Sequence, residues 1–408
     1  MSAVPLPPTE KALHQFTGWL QRYGETSFDH QTYFAGPIGR RAKALYYRNR
    51  TLGTLAVAPM IFSEALVPHA RRLFAGPLRF PIADAHYAMG FAFLARAFGD
   101  QKFHTQAVHF LTELEKARCP GYENLCWGYP FDWETRTGTI RQGTPLITTT
   151  PYVYEAFREV YAVDSNPSWR AAMASIAQHA IKDIKDIPYS TTASTSSYTP
   201  FDNGGVINAS AYRASLLAYA SEDLSDEKYW AIGERNLNFV LETQRPDGSW
   251  FYSVDGARDF VDHFHTCFVL KALAKIQRTR PSEPCRQAIL KGIEYYLANL
   301  LDERGLPKPF SKAPRMTVYR RELYDYAECL NLCVLLRRDI PELNKVLERV
   351  VQDVHDRWLK SDGSFRSREL WLGWDNVPMH RWAQSQMFRS LSLFVLDEKT
   401  HSASRQVA

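Results

Sequence analysis

From about residue 80 to residue 390 the chain alternates two kinds of apolar pattern at intervals of roughly sixty residues. The first is a helix-length run rich in small residues, beginning near Ile82, Leu146, Val206, Arg258, Tyr319 and Pro378. AHYAMGFAFLARAF and NASAYRASLLAYAS typify it, with Ala, Ser and Gly where two helices must approach closely. The second is more polar, with one apolar stripe, near 101–118, 167–184, 226–243, 283–300 and 341–359. Small-residue helices suit an inner layer and striped helices an outer one. A helix over about Glu10 to Tyr23 supplies a sixth outer member. The pattern predicts an all-α protein, an (α/α)6 toroid of six helical hairpins. Residues 76–408 form the ring, and residues 1–75 are N-terminal helices and an extension packing on it or closing it, one structural domain overall.

Long connections rich in Gly, Pro and Ser follow the outer helices at 119–145, 186–205, 244–257, 301–317 and 360–377, whereas returns such as GDQK and VDSNPS are short. One face of the ring therefore carries nearly all the elaborate loops, and function is expected there. STTASTSSYTP, 190–200, reads as a solvated loop, with a mobile flap as the alternative. NFVLETQRPDGSW, 238–250, sets Gln244 and Trp250 around an Asp247-Gly248 turn, with the indole expected on the glutamine amide. It resembles the QW repeat of terpene cyclases and prenyltransferase-like toroids, and KSDGSF, 360–365, is a weaker copy. The DxDD run that squalene-hopene type cyclases use to protonate an alkene is missing, so the resemblance supports the ring and not that chemistry.

Composition narrows the classes. A net charge of +5, with basic and acidic residues interspersed, does not indicate a nucleic-acid surface. The six cysteines lack paired CxxC spacing, which leaves buried reduced thiols as the expectation. MSAVPLPPTEKALHQF has no charged segment followed by an apolar core, so a cytoplasmic location is expected. Leu52 to Pro68 is too short to span a bilayer and holds Glu64; it reads as a buried helix with solvated ends. The basic residues on either side make peripheral contact with an anionic membrane surface the alternative.

Chemistry concentrates at the starts of the inner helices. CWGYPFDWETRTG, 126–138, surrounds Asp132 with Trp127, Tyr129, Phe131 and Trp133. Aromatic faces stack on sugar rings, and a carboxylate among them can be desolvated enough to hold a raised pKa. RDFVDHFHTCFVLKAL, 258–273, places Asp262 three positions before His265, on one helix face, as an acid–base pair. His263 adjoins them, but HxH on a helix has poor metal geometry, and no metal or cofactor is expected. Further polar sets are Asp84 and His86; Asn203 and Asn208; Arg320, Arg321, Tyr324 and Asp325; and Trp374, Asp375, His380 and Arg381. Converging on one funnel they would make an aromatic, arginine-bearing pocket suited to a carbohydrate.

CWGYPFDWETRTG, DHFHT and QRPDGSW, with the overall length, resemble a family of mostly uncharacterised toroid proteins associated with bacterial surface-polysaccharide biosynthesis. More distantly, the hairpin ring resembles the N-acylglucosamine 2-epimerases, the unsaturated glucuronyl hydrolases and the glucuronyl C5-epimerases, and FHTCFVLKAL and HRWAQSQMFRSL are similar to histidine-bearing inner helices of the first group. The resemblance implies acid–base chemistry on a free oligosaccharide, a nucleotide sugar or a lipid-linked glycan. Glycoside hydrolysis is placed first, drawing two carboxylates from Asp132, Asp262, Asp325 and Asp375. Epimerisation or elimination is the alternative, using His265, Tyr324, Arg320 and Asn208, and a non-catalytic glycan-binding scaffold is a third reading. The substrate-binding set is Asp84, His86, Trp127, Tyr129, Trp133, Asn203, Asn208, His263, Arg320, Arg321, Trp374, His380 and Arg381.

Overall fold

A computed structural model describes residues 8–314 and 316–407, with side chains through His401. Residues 1–7 of the N-terminal stretch read for a leader lie outside the described residues. In chain order the helices are α1 (Pro8–Tyr23), α2 (Thr32–Ala35), α3 (Pro37–Arg48), α4 (Arg50–Leu66), α5 (Pro81–Phe98), α6 (Gln101–Lys116), α7 (Thr150–Asp164), α8 (Pro167–Lys182), α9 (Ile207–Asp223), α10 (Glu227–Glu242), α11 (His263–Thr279), α12 (Glu283–Asn299), α13 (Leu323–Leu336), α14 (Glu342–Asp353) and α15 (Ser385–Val407).

The odd-numbered helices from α5 to α15 pack side by side in sequence, and α15 returns to α5 to close the ring. Helices α6, α8, α10, α12 and α14 each fold back on the inner helix before them, and α1 backs α15. The inner helices are buried nearly all round; a Cβ on Gly90 would stand 2.6 Å from the Phe388 ring, so glycine sets the approach of α5 to α15. Short returns are built as tight left-handed turns at Gly99 (φ 66°) and Ser165 (φ 53°), and Asp100, Asn166, Asp226 and Ser282 cap the outer helices that follow. The fold is the expected (α/α)6 toroid.

Two inner helices, α11 and α13, start four or five residues later than the apolar pattern suggested. The preceding residues are taken by antiparallel pairing on the loop face, because an extended segment there has a neighbouring strand to satisfy its backbone. β1 (Trp133–Thr135) pairs with β2 (Gly138–Ile140), β3 (Asp186–Pro188) with β4 (Ser194–Ser196), β5 (Val261–Asp262) with β6 (Phe310–Lys312), and β7 (Tyr319–Glu322) with β8 (Arg368–Leu370), which also pairs with β9 (Trp374–Asp375). Tyr319 opposite Leu370 and Val261 opposite Lys312 fix the registers in front of α13 and α11.

Two loop readings change. The 190–200 segment is neither a flap nor a solvated loop, since Ala193 to Ser197 are buried. Asn236 donates to the Ser194 carbonyl (2.9 Å) and to Asp186 (3.0 Å), and the buried Arg213 guanidinium reaches the same Asp186 (3.0 Å), so its polar residues are satisfied inside the wall. At the QRPDGSW turn the Gln244 amide donates to the carbonyls of Gly248 and Ala288, while the indole N–H of Trp250 donates to the Val240 carbonyl (2.9 Å). Amide and indole are thus held by backbone carbonyls.

The chain between α1 and α5 lies on the loop face. α3 and α4 form a hairpin over a small core of Tyr33, Ala42, Val57 and Met60, and both α2 and α3 pack against β1. Salt bridges hold it down: Arg40 to Asp132, Asp29 to Arg381, and Glu64 to both Arg71 and Arg368. α4 is not the buried helix the sequence suggested, because Leu52, Leu55, Phe62 and Leu66 stand exposed. Among the described residues no helix is long and apolar enough to cross a membrane.

Candidate functional site

The Asp262–His265 pair forms at the start of α11. Asp262, ending β5, caps the helix by accepting the His265 backbone N–H (2.9 Å), which turns its second oxygen toward the His265 ring. Oδ2 accepts from Nδ1 at 2.6 Å, so the carboxylate fixes the ring's orientation and leaves Nε2 for another partner. Asp262 is buried, while the His265 side chain keeps 23 % of its surface. Both line a narrow pocket open to solvent with Asn208, Trp250, Tyr252, Phe260 and Thr266. The Tyr252 ring lies edge-on to His265 (4.7 Å between centroids) and stacks on Phe260 (5.0 Å). Asn208 lines the same pocket and is buried, with its Oδ1 lacking a hydrogen-bond partner.

Aromatic rings continue across the loop face. Tyr129 stacks on Phe131 (5.4 Å) and meets Trp133 edge-on, and Trp133 leans on Tyr198 (6.2 Å). Tyr324 stacks on Trp382 at 4.4 Å and touches Phe264 and Phe268 edge-on. The Arg381 guanidinium sits between the rings of Tyr129 (4.9 Å) and Trp382 (5.2 Å), held by Asp29 at 2.6 Å. From the apolar side chains packed around it, burial raises the Tyr324 hydroxyl well above its ordinary range.

Other nominated residues are committed elsewhere. Asp132 does not have the raised pKa expected of it: the Gln142 backbone N–H, with Arg141 and Arg40, holds its carboxyl below the usual range. Asp375 is wholly buried in an ion pair with Arg71. Asp325 is buried with neither oxygen hydrogen-bonded, and burial pushes its carboxyl well up. His263 turns from the cavity to the Tyr296 hydroxyl of α12 (2.8 Å), and burial lowers its pKa to about 3. Trp127 is buried, its N–H spent on the Leu114 carbonyl (2.7 Å). Asp84 pairs with Arg79 (2.8 Å), and burial still drives its carboxyl up to about 7. His86 meets the Gln386 amide (2.7 Å) and the edge of Tyr152, deep on the ring axis. His380 is held by the Tyr87 hydroxyl (2.6 Å) and the Gly24 carbonyl, and burial lowers it to about 4. Arg320 is exposed over Trp371, Arg321 pairs with Asp302 and Glu369, Trp374 sits edge-on to Trp358 beneath Arg357 and Arg366, and Asn203 lies exposed in the loop before α9.

The sequence reading missed a polar cluster on the ring axis. Lys271 of α11 and Arg389 of α15 converge on Glu328 of α13, all fully buried, with the Tyr152 and Tyr212 hydroxyls hydrogen-bonded at 2.6 Å nearby. Burial lowers the Lys271 ammonium to about 8 despite Glu328 beside it. Its signal was the helix spacing of His265, Phe268, Lys271 and Lys275 in an otherwise apolar segment.

Comparison with solved structures agrees on the architecture. A cellobiose 2-epimerase from Bacillus thermoamylovorans superposes with a TM-score of 0.63 at 11% identity, covering 78% of this chain and 88% of that one. A GH76 α-mannanase from Bacteroides thetaiotaomicron gives 0.60 at 10%, covering 79% and 88%, and a D-mannose isomerase gives 0.59 at 12%, covering 79% and 87%. The ring is the six-hairpin toroid. No family model matches the sequence, and no curated protein matches it. Among the described residues no group of three or more His, Cys, Asp or Glu side chains could hold a metal ion.

Proposed function

We propose that this chain is a sugar-processing enzyme in which His265, oriented by Asp262, moves a proton at a sugar carbon, as epimerisation, isomerisation or elimination requires. The observation carrying this reading is the dyad itself: an imidazole with Nδ1 tied to a buried carboxylate and Nε2 left over, in a cavity walled by Tyr252, Phe260 and Trp250. Two-carboxylate hydrolysis, placed first from the sequence, has less support, since Asp262 is the one nominated carboxylate lining that cavity. Asp132 and Asp375 are paired elsewhere, and Asp325, near enough for the Asp262 charge to raise it, is enclosed and does not line that cavity. The ring is shared with proteins named as epimerase, isomerase and mannanase, which fits sugar chemistry in general. The finer setting, surface-polysaccharide assembly, is supported by the sequence resemblance alone.

The test is incubation with neutral, hexosamine-containing and uronic-acid-containing oligosaccharides in deuterated water, followed by NMR and mass spectrometry of the sugars. Carbon-bound deuterium at C2 or C5 that disappears in Asp262→Asn and His265→Gln supports the proposal. Cleavage without carbon-bound deuterium returns the reading to hydrolysis, and binding without turnover makes the protein a glycan-binding scaffold.

A further inference from the structure

Residues 37–74 carry seven Lys and Arg against one acid, Glu64, a net +6 where the whole chain carries +5. The rest of the molecule is therefore close to neutral. Glu64 itself is buried, paired with Arg71 and Arg368, so the outer surface of this hairpin presents no carboxylate of its own.

The same segment is unusually apolar on the outside. More than half of the large apolar side chains exposed among the described residues lie between Ile38 and Leu73, including Leu55 (68 %), Phe62 (66 %), Leu66 (60 %) and Leu73 (81 %). Along α4, Leu52, Leu55, Pro59, Phe62 and Leu66 recur at helical spacing and fall within an arc of about 80°. On α3, Ile38, Arg41, Leu45 and Arg48 share one face, mixing apolar and cationic groups. An outward apolar stripe beside exposed arginines is the composition that lies in the interface of a bilayer, apolar face in the acyl boundary and cations at the headgroups.

We infer that the α3–α4 hairpin is a docking surface for an anionic lipid bilayer. Self-association through the same face would set the exposed Arg41, Arg48, Arg50 and Arg72 of two copies against each other, which like-charge repulsion opposes. Because salt bridges tie this hairpin to the loop face at Asp132 and Arg368, a docked molecule holds that face of the ring near the membrane.

The experiment is flotation of the full chain with vesicles of phosphatidylcholine alone or mixed with phosphatidylglycerol, alongside light scattering to fix the oligomeric state. The expected result is partition onto the anionic vesicles, weakened about tenfold by raising salt to about 0.5 M. Two triple variants, Leu55→Ser with Phe62→Ser and Leu66→Ser, and Arg41→Glu with Arg48→Glu and Arg72→Glu, should each lower partition at least about tenfold with circular dichroism unchanged. Absence of partition, partition that both variants retain, or a solution dimer abolished by the serine variant without lipid binding would each overturn the inference.

Discussion

Replacing His263 by glutamine removes a buried imidazole that the folded chain keeps neutral. Its ordinary pKa is 6.5 and its folded value about 3, with burial the cause. Between these values the unfolded chain binds a proton that the folded chain does not. Wild-type stability is therefore fully present above about pH 6.5 and falls as pH drops toward 3. Linkage at about pH 5 makes this loss ~2 kcal/mol, and at about pH 4 ~3 kcal/mol. The side-chain amide of the His263→Gln variant can still reach the Tyr296 hydroxyl but has no proton to take up. Urea unfolding followed by tryptophan fluorescence, run on both proteins from about pH 7.5 to about pH 5, measures the difference. His380, His30 and His86, whose pKa values burial also lowers, are present in both and cancel. The variant should be the less stable protein near neutrality, with its deficit shrinking by ~2 kcal/mol at about pH 5. Parallel stability curves for the two proteins would refute the reasoning, because His263 would then titrate alike folded and unfolded.

Four further outcomes follow from the same contacts. Arg71→Met leaves the buried carboxylates of Glu64 and Asp375 without their shared partner and should cost about 3–5 kcal/mol by urea unfolding. Gly248→Ala forces a Cβ to 2.3 Å from the Lys291 carbonyl at φ 89°, so its melting temperature should fall by several degrees, more than for an exposed Gly256→Ala at φ 70° with no atom near. If the Asp262–His265 dyad performs the chemistry, Asp262→Asn should lower kcat about 100-fold or more, while Asp132→Asn stays within about threefold. Asn208→Ala removes the unpartnered acceptor of the cavity and should raise KM about tenfold without lowering the melting temperature, read from initial rates and a thermal melt.

The sequence by itself determined the ring. Helix length, small residues on one set of segments and a single stripe on the other leave few ways to bury both, and the sixty-residue period closes them as six hairpins. Asp262 and His265 were legible for the same local reason, since a three-residue step on a helix brings the side chains together wherever the helix is placed. Only the tertiary structure decided which polar residues were available. Nothing local distinguishes Asp262, which reaches a cavity, from Asp375, which is consumed by Arg71 from more than 300 positions away in the chain. The same holds for Asp132, whose counter-charge Arg40 comes from the N-terminal hairpin, and for Lys271, which meets Glu328 because three inner helices converge on one axis. Ionic and aromatic contacts across a ring depend on which elements become neighbours, and that is a property of closure rather than of spacing along the chain.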